Sequence, residues 1–404
     1  VSPSGDPRTF LRWVNRCCRS NDCHGRVSRP ARRASLACLP YTSSLLEYER
    51  RSSMLRGRRF LAGTVVVGSV LLGLPMTAFA QTLVPCNEAA LKNAVAAANS
   101  AGGGTLNLTP ACTYTLTTPE NPGNGLPIIT TPVRINGNSA TITRSSSAPD
   151  FRFFRVAAGS TLTLSALTLR NGRADNGGAI FVDGGRLALS TSTVTGNTAT
   201  QVGGGIYSLG TVEVSNSTLS NNTAVQGGGF NNQGISATFT GSTVTGNHAI
   251  TGAAEPFGGG ILNASPLTLN NTRIDGNDAT GSGASGGGVW NFGDLTLSGS
   301  PVLNNVASGD EAEGGGLWNG DSLTVRNGQV LGNTATGTDA QGGGIYNDTG
   351  TTTLQNVAVI TNRAVGSGAD GGGIFRLAGT VTITTSTVVA NQPNNCRPAI
   401  PGCS

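Results

Sequence analysis

The 404 residues include 60 Gly and only 12% charged residues, and the formal net charge of +5 is unevenly divided. Residues 1–80 contribute +9, from 13 Arg against 4 acids, while residues 81–404 sum to −4, from 12 Arg, one Lys and 17 acids. A mildly acidic, Gly-rich main part excludes a basic track for a nucleic-acid backbone. It suits tight turns around a thin core better than two or three ordinary domains.

Residues 1–53 show no hydrophobic periodicity and are read as a disordered or mis-assigned leader. Residues 54–80 read as a signal peptide. Met54-Leu55-Arg56-Gly57-Arg58-Arg59 is the charged start, Phe60 to Leu74 the apolar stretch, and Ala78-Phe79-Ala80 a small-residue cleavage site. The apolar run is short for a membrane anchor. The mature chain is therefore expected to begin at Gln81, to be secreted, and to carry no membrane span.

Residues 81–116 read as an N-terminal cap. Asn87 to Ala98 is Ala-rich and amphipathic, with Asn87 placed as the N-cap of a short α-helix and Leu91, Val95 and Ala98 on its apolar face. The mature part has four Cys, at 86, 112, 396 and 403. An even number in an exported chain points to disulfides, and four Cys allow three pairings. The nearest-neighbour pairing, Cys86–Cys112 with Cys396–Cys403, is the one expected. Zinc is disfavoured, because His248 is the only His after the leader.

Residues 117–391 read as the body of the chain, governed by a repeat that is clear from about 177 to 391 and preceded by irregular strands at Val133–Ile142 and Thr161–Leu169. One copy reads Leu295, Leu297, Val302, Asn305, then Gly314-Gly315-Gly316-Leu317, and the next reads Leu323, Val325, Val330, Asn333, then Gly342-Gly343-Gly344-Ile345. The recurring Asn stands at Asn197, Asn222, Asn247, Asn277, Asn305, Asn333, Asn362 and Asn391, at intervals of 25 to 30 residues. Self-similarity at this period marks a solenoid. Period-two alternation in Leu295-Thr296-Leu297 marks a strand, the segment ending in Val302 a second, and Gly316-Leu317-Trp318 a third. Three short strands per repeat make one rung of a parallel β-helix, so the fold class is all-β with one capping helix. The recurring Asn is read as a corner ladder, its amide donating to one neighbouring rung and accepting from the other. A shorter ladder is expected at Asn232, Asn263, Asn291, Asn319 and Asn347. The Gly triplets lack the Lys and the helix of a phosphate-binding loop and are read as positive-φ corners. Residues 392–404, Pro-rich and bounded by Cys396 and Cys403, read as a C-terminal disulfide cap.

These residues resemble the secreted bacterial right-handed parallel β-helix proteins of the pectin lyase-like superfold. The resemblance at the N-terminus rests on Cys86 to Thr115, with its Ala-rich helix, Gly102-Gly103-Gly104-Thr105 and Cys112-Thr113-Tyr114-Thr115-Leu116. The rungs also resemble polymorphic outer-membrane-protein repeats through Gly177-Gly178-Ala179-Ile180 and the Val194-x-x-Asn197 pattern, with Val, Leu or Ile where that family has Phe. The resemblance implies the fold over nearly all of 81–404. It implies no single activity, because the superfold hosts lyases, hydrolases and adhesins.

Two features differ from rung to rung. The segment between ladder Asn and Gly triplet varies from four to ten residues and carries Asp278, Asp310, Glu311, Glu313, Asp339 and Asp370. Insertions in a solenoid gather on one edge, often the binding edge. The second feature is the residue after each inward aliphatic one: Phe181, Tyr207, Asn231, Leu262, Trp290, Trp318, Tyr346 and Phe375. If Val289, Leu317 and Ile345 point in, these point out. Flat rings beside acids suit a sugar polymer, so Tyr207, Trp290, Trp318, Tyr346 and Asp310 are the binding candidates. Plain self-stacking along the sheet is the competing reading.

Glycoside hydrolysis needs two carboxyls about 5–5.5 or 6.5–9.5 Å apart. Glu311 and Asp339 stand three residues before consecutive Gly triplets, which places them about 5 Å apart, and Glu313 and Asp370 share a register at about 10 Å. A lyase base would come from Lys92, Arg273, Arg326, Arg363 or Arg376, without an Arg-rich motif to support it. No cofactor is called for, although the acidic loops would suit Ca²⁺, with no fixed-spacing ligand motif. The expectation is a monomeric, extracellular binding or adhesion module for polysaccharide or a cell-surface glycan. The alternative is a polysaccharide hydrolase or lyase.

Overall fold

The computed structural model describes residues 81–252 and 255–403, so the leader and signal-peptide readings lie outside the described residues. The described chain is a parallel β-solenoid with one helix, Glu88–Ser100. Each regular rung has four strands, not three. In one rung they are Asp294–Ser298, Val302–Leu303, Val306–Ser308 and Leu317–Asn319, hereafter the first to fourth columns. Each pairs in parallel with its counterpart on the next rung: Leu295 with Leu323, Val302 with Val330, Ala307 with Ala335, and Leu317 with Ile345. The third column forms an 8-stranded sheet and the fourth a 10-stranded one. The first two share a 21-stranded sheet, because Val133–Arg144 and Thr161–Arg170 run through both.

The extra column escapes a search for large apolar residues because its inward residue is Ala. Ala249, Ala279, Ala307 and Ala335 are fully buried but lie outside the main core. They form small clusters of their own with Ala284, Ala312 and Ala340, which come from the segment returning toward the Gly triplet. The rung therefore has two compartments. Leu, Ile, Val and Phe from the first, second and fourth columns fill a continuous core running from Val84 to Ile400. A narrow lobe beyond the ladder Asn holds only methyl groups.

The Gly triplet closes that lobe, and only its first member acts through backbone conformation. Gly314 has φ +64°, where a side chain is strained. A Cβ on Gly315 would stand 2.3 Å from the carbonyl carbon and oxygen of Thr334 in the third column of the next rung. On Gly316 it would meet Gly344 O at 2.6 Å and the ladder amide carbon of Asn333 at 2.9 Å. Two of the three glycines thus answer to close approach rather than to a positive-φ corner.

Both Asn ladders are present. Asn305 Nδ2 donates to Asn333 Oδ1 (2.9 Å) and to Ile274 O (3.2 Å), while its Oδ1 accepts from Asn277 N (3.0 Å) and Nδ2 (2.9 Å). The shorter ladder links Asn232, Asn263, Asn291, Asn319 and Asn347 by amide–amide bonds of 2.8 to 3.1 Å. A third ladder, of hydroxyls, stands five residues before the main one. Ser192 N, Ser217 N and Thr272 N donate to Ser217, Ser242 and Ser300 Oγ. Each ladder supplies the backbone or amide partners that a buried corner would otherwise lack.

The ends are closed. Asn87 caps the helix by accepting from Ala90 N at 2.8 Å, and Leu91, Ala94, Val95 and Ala98 are buried against the first rungs. Cys86 pairs with Cys112, tying the helix start to the first strands, and Cys396 pairs with Cys403 in the tail. Lys92 is committed to this cap, with Nζ 2.8 Å from both Glu88 Oε1 and Thr118 O. Burial pushes the Glu88 pKa up, but hydrogen bonds from Lys92, Thr117 and Thr118 outweigh it and bring it from an ordinary 4.5 to about 2. Among the described residues no helix is long and apolar enough to cross a membrane.

Removing one ladder amide strands partners on both neighbouring rungs. Asn305→Ala is expected to lower stability by about 3 kcal/mol, counting several buried bonds at about 1 kcal/mol each. Gln329→Ala, on the exposed face of the next rung, is expected to change it by less than about 0.5 kcal/mol. Chemical denaturation of both variants compares them.

Because the folded-state pKa of Glu88 is depressed, its stabilising effect is fully present above about 4.5 and is lost as pH falls through about 2. The gap in unfolding midpoint between the parent chain and Glu88→Gln is expected to shrink progressively over that window, and a pH series of melts reads it.

Candidate functional site

The residues after each inward aliphatic form one outward column. Arg155, Phe181, Tyr207, Asn231, Leu262, Trp290, Trp318, Tyr346, Phe375 and Arg397 are successive Cα partners on adjoining fourth-column strands. The aromatic side chains of this column leave the main core, as alternation dictates. Their rings then stack on one another: Phe181 on Tyr207 at 5.1 Å, Trp290 on Trp318 at 4.8 Å, Trp318 on Tyr346 at 6.3 Å, and Tyr346 on Phe375 at 5.4 Å. Interplanar angles stay between 9° and 14°.

This geometry corrects the expected open aromatic platform. Parallel rungs hold equivalent rings nearly parallel, so neighbours occupy the faces and leave the edges. Trp318 is 8% exposed and Tyr346 only 1%. Neither offers a free face to a sugar. Trp290 and Tyr207 are half-buried. Tyr207 also has its phenol pKa raised by burial and then by Asp183. At the column's N-terminal end the guanidinium groups of Arg152 and Arg155 lie 5.5 and 5.8 Å from the Phe181 ring centroid. Burial, and then Arg155, lowers the Arg152 pKa.

The acidic edge is more ordered than solvated loops would be. Glu311 N donates to Thr338 O and Asp339 N to Ser367 O, each at 2.7 Å, so the segment before each triplet is stacked rung on rung. Glu311 and Asp339 occupy matching places in it, both in left-handed backbone (φ +57° and +54°), and both are exposed at the outer tip. Asp310 is exposed beside them. Glu313 and Asp370 fall in one register with Gln341 between them, as their spacing indicates. Each of these two has a structural task. Glu313 is buried and accepts from the Trp318 indole at 2.9 Å. Asp370 accepts from Gly371 N (2.9 Å) and Asn394 Nδ2 (2.7 Å) and pairs with Arg397 Nε (3.2 Å). Asp278 is bonded to His248 on the preceding rung.

Of the basic candidates on the rungs, Arg273 is paired with Asp275 at 2.9 Å, and Arg326 and Arg363 are exposed on other columns. No group of three or more His, Cys, Asp or Glu suited to a metal occurs among the described residues. Two shallow depressions, of about 240 and 330 Å³, lie elsewhere: one around Glu213 and Thr238 on the first column, the other around Asn327 and Asn356 at the first corner. Neither is lined by the candidate carboxylates.

Two rings that the repeat pattern passes over join the column from the sides. Phe257 stacks on Trp290 at 5.2 Å, and Phe292 stacks on it at 5.7 Å. Phe257 belongs to the one long insertion and Phe292 to a turn where other rungs carry Leu, Gln, Ala, Gly or Asp, so neither forms part of a repeat. Asn231 interrupts the column. It is fully buried, and neither its Oδ1 nor its Nδ2 has a hydrogen-bond partner among the described residues.

No family model matches the sequence, and no curated protein matches it. Among solved structures the chain is similar to the A-module of the Azotobacter vinelandii mannuronan C-5 epimerase AlgE4. The identity is 14%, the match covers 78% of this chain and 95% of that chain, and the TM-score is 0.41.

A buried amide without partners costs about 1–3 kcal/mol. Asn231→Leu, which copies the Leu262 of the next rung, is expected to stabilise the solenoid by about 1 kcal/mol. Comparison of unfolding midpoints checks it.

Proposed function

We propose that this solenoid is an extracellular polysaccharide-binding or adhesion module rather than an enzyme. The observation that carries the reading is the disposition of the four carboxylates available for glycoside hydrolysis. Glu313 and Asp370 are spent on Trp318 and on the C-terminal cap. Glu311 and Asp339 sit at exposed tips, outside the two depressions around Glu213 and Asn327. Glycoside hydrolysis asks for two carboxyls facing each other across the bound sugar. Exposed loop tips do not enclose one.

Binding asks for less, and the rod supplies it. Its outward first-column positions repeat a hydroxyl from rung to rung, with Thr268, Thr296, Thr324, Thr353 and Thr382 as successive Cα partners. A periodic surface of this kind suits a periodic polymer. The disulfides at both ends suit an oxidising exterior.

The test is to incubate residues 81–404 with a panel of polysaccharides and to follow retention and degradation together. Retention on at least one polymer is expected, with no new reducing ends and no unsaturated uronate absorbance. Release of either product would overturn the non-catalytic reading and turn attention back to Glu311 and Asp339.

A further inference from the structure

Phe292 shares in the stacking but is the most exposed ring of the stack. It lies in the turn from the fourth column to the first, directly after the ladder residue Asn291, and it is 38% exposed. Its plane is 13° from that of Trp290. Equivalent turn positions on the flanking rungs hold small residues, Ala264 before and Gly320 after. A Cβ on Gly320 would stand 2.7 Å from both Phe292 Cδ2 and Trp318 Cζ3. Gly320 therefore leaves room for the Phe292 ring, which stacks on Trp290, beside the Trp318 indole.

Two carboxylates flank this ring. Phe292 and Asp294 are both exposed, with buried Gly293 between them in the turn. Asp321 is exposed on the next rung, one residue before Ser322, which is the Cα partner of Asp294. Neither Asp294 nor Asp321 forms an ion pair or a side-chain hydrogen bond among the described residues. The shorter Asn ladder runs directly beneath through Asn263, Asn291 and Asn319, so the platform stands on fixed backbone.

We propose that Phe292, Asp294 and Asp321 form a subsite for one uncharged pyranose unit of a neutral polysaccharide. The proposal rests on the binding reading above and names its substrate class. The ring meets the C–H face of the sugar, and the carboxylates accept hydrogen bonds from its hydroxyls. The same carboxylates repel uronate or sulfated units, and residues 81–404, at −4 overall, add to that repulsion.

The test is affinity electrophoresis of the full chain in gels holding laminarin or galactomannan (neutral) or polygalacturonate or alginate (acidic). Retardation is expected in at least one neutral gel and in neither acidic gel. Phe292→Ala should weaken the neutral interaction roughly 3- to 10-fold, Phe292→Tyr should keep it, and Asp294→Asn should weaken it several-fold. An unchanged denaturation midpoint in the three variants shows that folding is intact. Unaltered binding by Phe292→Ala, or retardation by the acidic polymers alone, overturns the subsite while leaving the binding reading in place. Retardation in no gel overturns the binding reading itself, and the subsite with it.

Discussion

Each rung of this protein lies one backbone hydrogen bond from the next, about 4.8 Å away, and that spacing decides what every other position can hold. A side chain meets the same position of two neighbouring rungs before it meets anything else. Buried groups must therefore be compatible with copies of themselves. A carboxamide qualifies, because it carries both a donor and an acceptor, and the Asn305 amide shows the pattern with a bond to each side. A hydroxyl qualifies on the same ground, as in the file through Ser192, Ser217 and Ser242. A charge does not, and the described carboxylates lie on outward positions, in loops or in specific pairs. The mild charge of the main part and its abundance of Asn, Ser, Thr and Gly follow from one spacing.

The same spacing acts on aromatic residues, with a functional consequence. Rings placed one above another at rung intervals become mutual partners, and their faces are no longer available. A stripe of Tyr, Trp and Phe on the outside of a parallel solenoid is thus first a stabilising column. It becomes a recognition surface only where the register breaks. The column breaks at Asn231, where buried polar atoms go unmet, and is extended sideways at Phe257 and Phe292. Glu313 illustrates how an acid that looks catalytic by spacing is drawn into this scaffold: its carboxylate satisfies the one polar group of a buried Trp318.

Repetition made some of this legible in the sequence and concealed the rest. The Asn positions and the paired aliphatics before them gave the solenoid, both amide ladders and the inward register, because each depends on residue type at a fixed interval. The capping helix was legible through Asn87 and the spacing of Leu91, Val95 and Ala98. The third column was not, since Ala307 and Ala335 carry no strong apolar signal, although they pack in a buried cluster of their own with Ala312 and Ala340. The outward direction of Trp318 and Tyr346 was legible from alternation, but their burial was not. Alternation gives the side a residue takes and says nothing of what neighbouring rungs and returning loops then place over it. The hydroxyl ladder was missed for a related reason, because Ser is common on every face of this chain and only its five-residue offset from the Asn sets it apart.

Rigidity and freedom of residue choice rarely coincide in a solenoid. Inside the rung the choice is limited by self-compatibility. On the variable edge the choice is wide, but the tips that carry Glu311 and Asp339 stand clear of the core. The turn from the fourth column to the first combines both properties. From Asn232 to Asn347 its inner residue belongs to a fully buried Asn ladder, while the next residue varies through Gln233, Ala264, Phe292, Gly320 and Asp348. Adjacent backbone bonds, such as Phe292 N to Asn263 O at 2.7 Å and Gly320 N to Asn291 O at 2.9 Å, hold these positions in line. A row of unlike side chains on a fixed backbone, one rung apart, can present a specific pattern to a polymer without losing entropy on ordering. On that argument this turn suits the proposed recognition better than the inserted edge does, for all the acids on that edge.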